Sequence, residues 1–179
     1  MKKFFKHLGV VNKHRFLVFM HCCRCGLFWR GLWHDFSKYR LSEFCESVKY
    51  YTDGKKSPLD TSIEINGYSL AWVRHTNRNK HHFEYWYDIS FKEPIEMPYK
   101  YLIENICDRI AANKCYLGKD YTQDAALNYY INHIDKSIVG KRTNEFVLKV
   151  LTDLKDYGEK YVLNKKYLKA KYNEIVLNK

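Results

Sequence analysis

Five histidines and two aspartates recur along this chain in an order that suits metal chemistry: His14, His34-Asp35, His75, His81-His82 and Asp108. Imidazole nitrogens and carboxylate oxygens together bind divalent zinc, manganese, iron or cobalt, and an ion held this way acidifies a water for attack on an ester or phosphoester. The array points to a metallohydrolase. A His-Asp dipeptide alone is weak evidence, and a single buried histidine is more often hydrogen-bonded than metal-bound. The ordered combination with Asp108 and the His75 group carries the reading, against the alternative of structural histidines.

Positioning these groups requires helices. Apolar residues follow a helical period nearly everywhere, with little of the alternation that marks strands, so the expected fold is all-α: a compact single-domain bundle of about six to seven helices. Its core covers about residues 5–135, followed by a basic helical extension over 136–179. A first helix is expected from Asn12, a good N-cap, to Cys25, with Gly26 as its stop and His14, Val18, His21 and Cys25 on one face. A second helical region spans His34 to Tyr51, restarting near Leu41-Ser42, with Phe44, Val48 and Tyr51 inward. Residues 55–67, with Ser57-Pro58 and Asn66-Gly67, read as a loop, a lid or a short hairpin. A helix from Ser69 places His75, Asn79 and His82 on one face, and another from Pro98 to the residue before Gly118 turns Leu102, Ile106, Ile110 and Leu117 inward with Asp108 at the edge. Further helices are expected over 122–136, over 143–157 with Gly158 as its stop, and from Glu159 onward.

On this scheme His34 and Lys38 lie one helical turn apart, and Asp35 reaches the same metal if the helix begins or bends there. His14 and Asp108 come from helices packed on either side. His75 with His81 or His82 holds a second ion; the spacing does not choose between the two. The cofactor is then one or two divalent ions, magnesium included, and Lys38 neutralises phosphate charge. Arg74, Arg78 and Arg109 each neighbour a proposed ligand on their helices, either to grip phosphate together with Asn79 or to pair with Glu84, Glu104 or Asp108.

The formal charge is +11, with seven Lys or Arg and no acid in residues 1–34, and eleven Lys or Arg against five acids from Lys136 onward. Two basic ends attract polyanions, which favours a small phosphorylated substrate or nucleotide and leaves nucleic acid open, although solvated helix faces explain the same pattern. Trp29, Trp33, Trp72 and Trp86 are expected in the core or a pocket wall more than as base-stacking platforms. The apolar runs are far shorter than the ~20 residues of a membrane span, and no signal-peptide core follows the basic N-terminus. No membrane partner is expected, and the location is cytoplasmic. Cys22, Cys23 and Cys25 crowd one helix without a second Cys-x-x-Cys pair, which fits reduced thiols rather than disulfides or half of a zinc site.

The order His14, His34-Asp35, Asp108 resembles the HD-domain superfamily of metal-dependent phosphohydrolases, and His34-Asp35-Phe36-Ser37-Lys38 is similar to its H-D-x-x-K form. The resemblance implies an HD-like helical fold, and His75 with His81-His82 looks like the extra ligands of the binuclear subgroup that includes cyclic-nucleotide and cyclic-dinucleotide phosphodiesterases. The Gly-Tyr-Pro companion motif of the latter is absent. Lys38 replaces the acid of the H-D-x-x-E form, and Glu43 lies too far along to inherit its role. His14 sits closer to His34 than is usual there, which leaves His7 and His21 as alternatives; His14 is preferred because the resemblance places a histidine in this helix. Residues 5–135 also resemble a family of bacterial and phage proteins with no assigned activity, through Trp29-Arg30-Gly31-Leu32-Trp33-His34-Asp35, Ala71-Trp72-Val73-Arg74-His75 and Asn79-Lys80-His81-His82.

The leading expectation is a metal-dependent phosphohydrolase, a phosphatase or phosphodiesterase, in which hydroxide generated on the metal attacks, Asp35 orients or deprotonates the water, and Lys38 stabilises the phosphoryl group. The alternative is a basic nucleic-acid-binding or interaction protein on the same helical frame without turnover.

Overall fold

His7, Val11, His14, Val18, His21 and Cys22 recur at helical spacing, and one helix, α1 (Lys2–Arg24), buries all six on one side. The computed structural model describes residues 2–54 and 56–179, and over them the chain is all-α. α1 starts well before the expected Asn12 because Phe4 and His7 already dock on Phe44, with ring centroids 5.0 and 5.1 Å apart. Asn12 is therefore a mid-helix residue, and its side chain accepts a hydrogen bond from the Tyr39 hydroxyl. The stop at Gly26 is observed, with φ +75°.

α2 (Phe28–Trp33) turns back against α1 through Gly31. A Cβ there would come 2.7 Å from Cys22 Cβ and 3.0 Å from the Phe19 Cα, so only glycine permits this approach. The helical region expected over 34–51 restarts at Leu41 as expected, with α3 covering Leu41–Lys49; before it, His34 and Asp35 form a turn and residues 36–39 a 3-10 turn. The loop expected over 55–67 is mostly helical where it is described, since α4 (Pro58–Asn66) occupies most of residues 56–67. The residues that read as turn signals are its caps: Ser57 accepts from the Leu59 N–H, Pro58 opens the helix, and Gly67 closes it in the left-handed region.

α5 (Leu70–Arg78) is capped by Ser69, whose hydroxyl accepts from the Trp72 N–H. It ends at Arg78, so the expected helical phasing of His82 with His75 does not hold, and the two meet through a turn instead. A 3-10 turn at 83–86 leads into a two-residue antiparallel ladder, β1 (Tyr87–Asp88) with β2 (Glu93–Pro94), pairing Tyr87 with Pro94. α6 (Tyr99–Leu117) follows Pro98, which sits at its N-cap rather than inside it. Leu102, Ile106 and Ile110 are buried as expected, but Leu117 is exposed at the last position of the helix. α7 (Ala125–His133), α8 (Lys141–Tyr157), α9 (Glu159–Val162) and α10 (Lys165–Ile175) complete the chain. Ten α-helices among the described residues replace the six or seven expected, largely because the ligand-bearing half is cut into short pieces.

The apolar core lies between α6, α8 and α10, with Ile103, Ile106, Phe146, Val150, Leu154 and Leu168 at its centre and Val18 and Cys22 of α1 closing it. All six cysteines are free thiols, as expected. Cys107, which stands alone in the sequence, meets Cys25 with 3.8 Å between sulfurs. No helix of the described residues is long and apolar enough to cross a membrane.

Candidate metal centre

The break after α2 creates the site. His34 caps the helix, its N–H donating to Gly31 O, and Asp35 then takes φ 52° and ψ 25°. A left-handed backbone is uncommon outside glycine and is tolerated best by Asn and Asp, so the turn favours this residue type while costing some strain. Arg15 of α1 holds the turn in place, donating to His34 O at 2.8 Å, to Leu32 O at 3.0 Å and to the Tyr39 hydroxyl at 3.0 Å.

The result drives the Asp35 carboxylate, 1% exposed, into a ring of imidazoles. Its Oδ1 lies 3.3 Å from His75 Nε2 and 3.4 Å from His81 Nε2; its Oδ2 lies 3.3 Å from His34 Nε2 and 3.7 Å from His14 Nε2. Asp108 of α6 closes the second set, with Oδ1 3.0 Å from His14 Nε2 and 3.5 Å from His34 Nε2. Two quartets result, His14, His34, Asp35, Asp108 and Asp35, His75, His81, His82, each with its donor atoms within 4.8 Å of one another. Asp35 belongs to both. His81 and His82, left as alternatives by the spacing, both enter the second quartet.

The donor set fits a cation. Both Asp35 oxygens, His81 Nε2 and His82 Nε2 are buried without a hydrogen-bond partner. Such orphaned groups are rare and costly in a folded protein, and a bound ion removes the cost. Lys38 Nζ, 2.6 Å from Asp35 Oδ2, supplies charge from outside hydrogen-bonding geometry.

Behind the imidazoles stand two carboxylates. Glu104 Oε1 is 3.0 Å from His34 Nδ1 and 3.5 Å from His81 Nδ1, while Arg30 binds its other oxygen through Nε at 2.8 Å and through Nη2. Glu43 Oε2 is 3.1 Å from His75 Nδ1 and accepts from Ser37 Oγ at 2.9 Å, while Arg78 donates to its Oε1 at 2.8 Å. A carboxylate on Nδ1 fixes the tautomer and turns Nε2 toward the ligand position, the usual support of a metal-bound histidine. Asn105 donates to His81 O at 2.7 Å, which secures the turn after α5.

The charges of the cluster balance one another. Burial opposes a proton on His14, but the Asp108 carboxylate at 3.0 Å, with Asp35 close by, outweighs it and raises its pKa to about 9. His34 and His75 are raised against the same burial penalty, chiefly by the Asp35 charge. Asp35 and Asp108 stay well below the usual carboxylate range despite burial, because imidazoles, and for Asp35 also Lys38, surround them. Burial also opposes ionisation of Glu104, yet hydrogen bonds from His34 and His81 push it down to about 2. His81 and His82 are lowered by burial first and then by neighbouring histidines. A cation bound there would compete with the protons favoured on His14, His34 and His75.

The structure brings together His14, His34, Asp35, Lys38, His75, His81, His82 and Asp108. It leaves out His7, which packs on Phe44 and Tyr51 with its pKa lowered to about 4 by burial and Lys38, and His21, whose Nδ1 lies 3.3 Å from Cys107 O. The arginines expected at phosphate are otherwise engaged. Arg74 donates to Ser42 O and Arg78 to Glu43, while Arg109 donates to Asn105 and stacks over Phe83 and Tyr130. Asn79 donates to Ser37 Oγ at 2.9 Å and to His75 O at 2.8 Å, which makes it a support for His75. The sequence reading missed Glu43, Ser37 and Arg30 as supports, and took Glu104 only as a partner for other arginines. Its one signal was an acid four residues before Asp108 inside an apolar run, Leu102-Ile103-Glu104-Asn105-Ile106.

A family model matches residues 3–153, a span that holds every member of the cluster. The chain belongs to that family, DUF5662, a family of unknown function. No curated protein and no solved structure matches it.

Proposed function

We propose that this DUF5662 chain is an HD-type metal-dependent phosphohydrolase that binds two divalent ions and acts on a nucleotide or another small phosphorylated compound. The carrying observation is Asp35, a buried carboxylate with one oxygen turned toward each of two His-rich quartets. The order of the converging residues, His14, His34-Asp35 and Asp108, supports the HD assignment. Ions bound there would lower the pKa of a water and neutralise phosphoryl oxygens.

The chain's own residues divide the remaining work. Asp35 turns one oxygen toward each quartet, so it would serve both sets. Glu104 with Arg30 and Glu43 with Arg78 hold the imidazoles in orientation. Lys38 and Asp108, with side chains 28% and 17% exposed, are the least buried of the charged groups at the two quartets and mark the side from which a substrate enters. Lys38 is the group that binds a phosphoryl oxygen on arrival, a charge-assisted contact in a site of low polarity.

The test is elemental analysis of the purified protein after loading with manganese or cobalt, followed by phosphatase and phosphodiesterase assays. About two ions per chain and metal-dependent turnover are expected, with both lost in the His34→Ala, Asp35→Ala double variant. A wild-type chain that takes up no metal, or turnover that survives the double substitution, sinks the reading.

A further inference from the structure

The outer side of α1 and α2 is unlike the rest of the surface. On α1 the exposed stripe runs Phe5 (66%), Gly9, Phe16 (62%) and Met20, opposite the buried histidines, and Lys2, Lys6, Lys13 and Arg24 border it. α2 uses Gly31 to lie against α1 and Arg30 to reach Glu104, which turns its remaining side chains outward: Phe28, Trp29 (70%), Leu32 and Trp33 (61%). Phe28 stacks edge-on with Phe19 of α1, and Trp33 with Phe36, so the apolar side chains continue from one helix to the next. Trp29 and Trp33 were expected in the core or a pocket wall; neither is in the core, because Gly31 and Arg30 already fill the inward face of this six-residue helix, and Trp33 lines a surface pocket with Phe36 and Arg78.

Exposed apolar clusters of this kind mark interaction surfaces, and the charge selects the partner. Residues 1–34 contain no acid. The first residue of the basic C-terminal helix, Lys165, lays its aliphatic stem across Gly26 at the α1–α2 corner, so both basic ends of the sequence meet here. Among the described residues, Lys2, Lys3 and Lys13 form no ion pair. A second copy of this chain would bring like charge against like. A nucleic acid would leave Phe5, Phe16, Met20 and Leu32 without use, because such interfaces are polar. Phenyl, indole and aliphatic groups projecting from a helix bordered by lysines are the features of a segment lying in the plane of an anionic bilayer, with Trp at the headgroup level and Lys on the lipid phosphates.

We propose that the α1–α2 face docks this protein on anionic lipid membranes, peripherally and without spanning them. The proposal is independent of turnover and revises the expectation that no membrane is involved. Residues of the docking elements also carry His14 and the His34-Asp35 turn, so the metal centre would sit directly behind the membrane face.

Vesicle sedimentation decides it, using phosphatidylcholine with and without phosphatidylglycerol. The expected result is pelleting with the phosphatidylglycerol vesicles only, a blue shift of tryptophan emission, and loss of binding at high salt. The Phe16→Ser, Trp29→Ser double variant changes only exposed positions, so its circular dichroism should match wild type while its vesicle affinity falls about tenfold or more. A Lys2→Glu, Lys13→Glu variant should fall comparably. Failure to pellet with anionic vesicles overturns the proposal, as does an unchanged affinity of the Ser variant. Tight binding to a single-stranded oligonucleotide without vesicle binding, or a dimer in light scattering that the Ser variant dissolves, assigns the face to another partner.

Discussion

The two sides of α6 bury their residues by opposite means. Toward α8 and α10 it presents Ile103, Ile106 and Ile110 to Phe146, Val150, Leu151 and Leu168, a dry apolar core. Toward α1, α2 and the turn after α5 it presents Glu104 and Asp108 to His14, His34 and His81. The apolar side gains stability from every methylene removed from water, about 25 cal/mol per Å². Burial on the polar side is costly unless each charge finds its partner, and here several atoms find none. One half is built from apolar packing, and the other from buried charges that could hold a metal ion.

That contrast predicts separable responses. Phe146→Ala, in the apolar half and fully buried, should cost about 3–5 kcal/mol in denaturant unfolding, yet the rise in Tm on adding metal should remain. If its metal affinity falls with its stability, the halves are not independent. Glu104→Gln removes the charge behind His34 and His81 while keeping their geometry. Metal affinity should drop about 10- to 100-fold, read by competition with a chromophoric chelator, and a Glu104→Asp change should recover part of it. Unaltered affinity would make Glu104 a structural partner of Arg30 alone.

The smallest effect concerns pH. Burial alone would raise Asp153 of α8, but hydrogen bonds from Lys149 and Tyr167 outweigh it and lower its pKa. A depressed carboxylate contributes stability above its unfolded pKa, and that contribution fades as pH falls toward the folded value. Acid unfolding of Asp153→Asn should therefore start from lower stability and show a shallower decline below the ordinary carboxylate range. A parallel curve would remove Asp153 from the account.

Helix character was legible because apolar spacing is a local property, and so α6, α8 and their glycine stops stand close to where periodicity places them. α4 was not, because Ser57-Pro58 and Asn66-Gly67 signal turns and helix caps equally well until the chain between them is seen to be helical. The ligands were legible by residue type. Their supports were not, since Glu43 and Arg30 acquire meaning only through groups 32 and 74 positions away.

By itself the sequence determined an all-α chain, free thiols, basic ends and a set of histidines and aspartates suited to metal. Only the tertiary structure decided that Asp35 lies between two quartets, that His14 rather than His7 or His21 is the α1 member, and that both basic ends meet beside exposed aromatics. The reason is one of range. Propensity and charge count act between near neighbours, whereas a shared carboxylate needs a left-handed turn, a glycine contact and four packed elements at once.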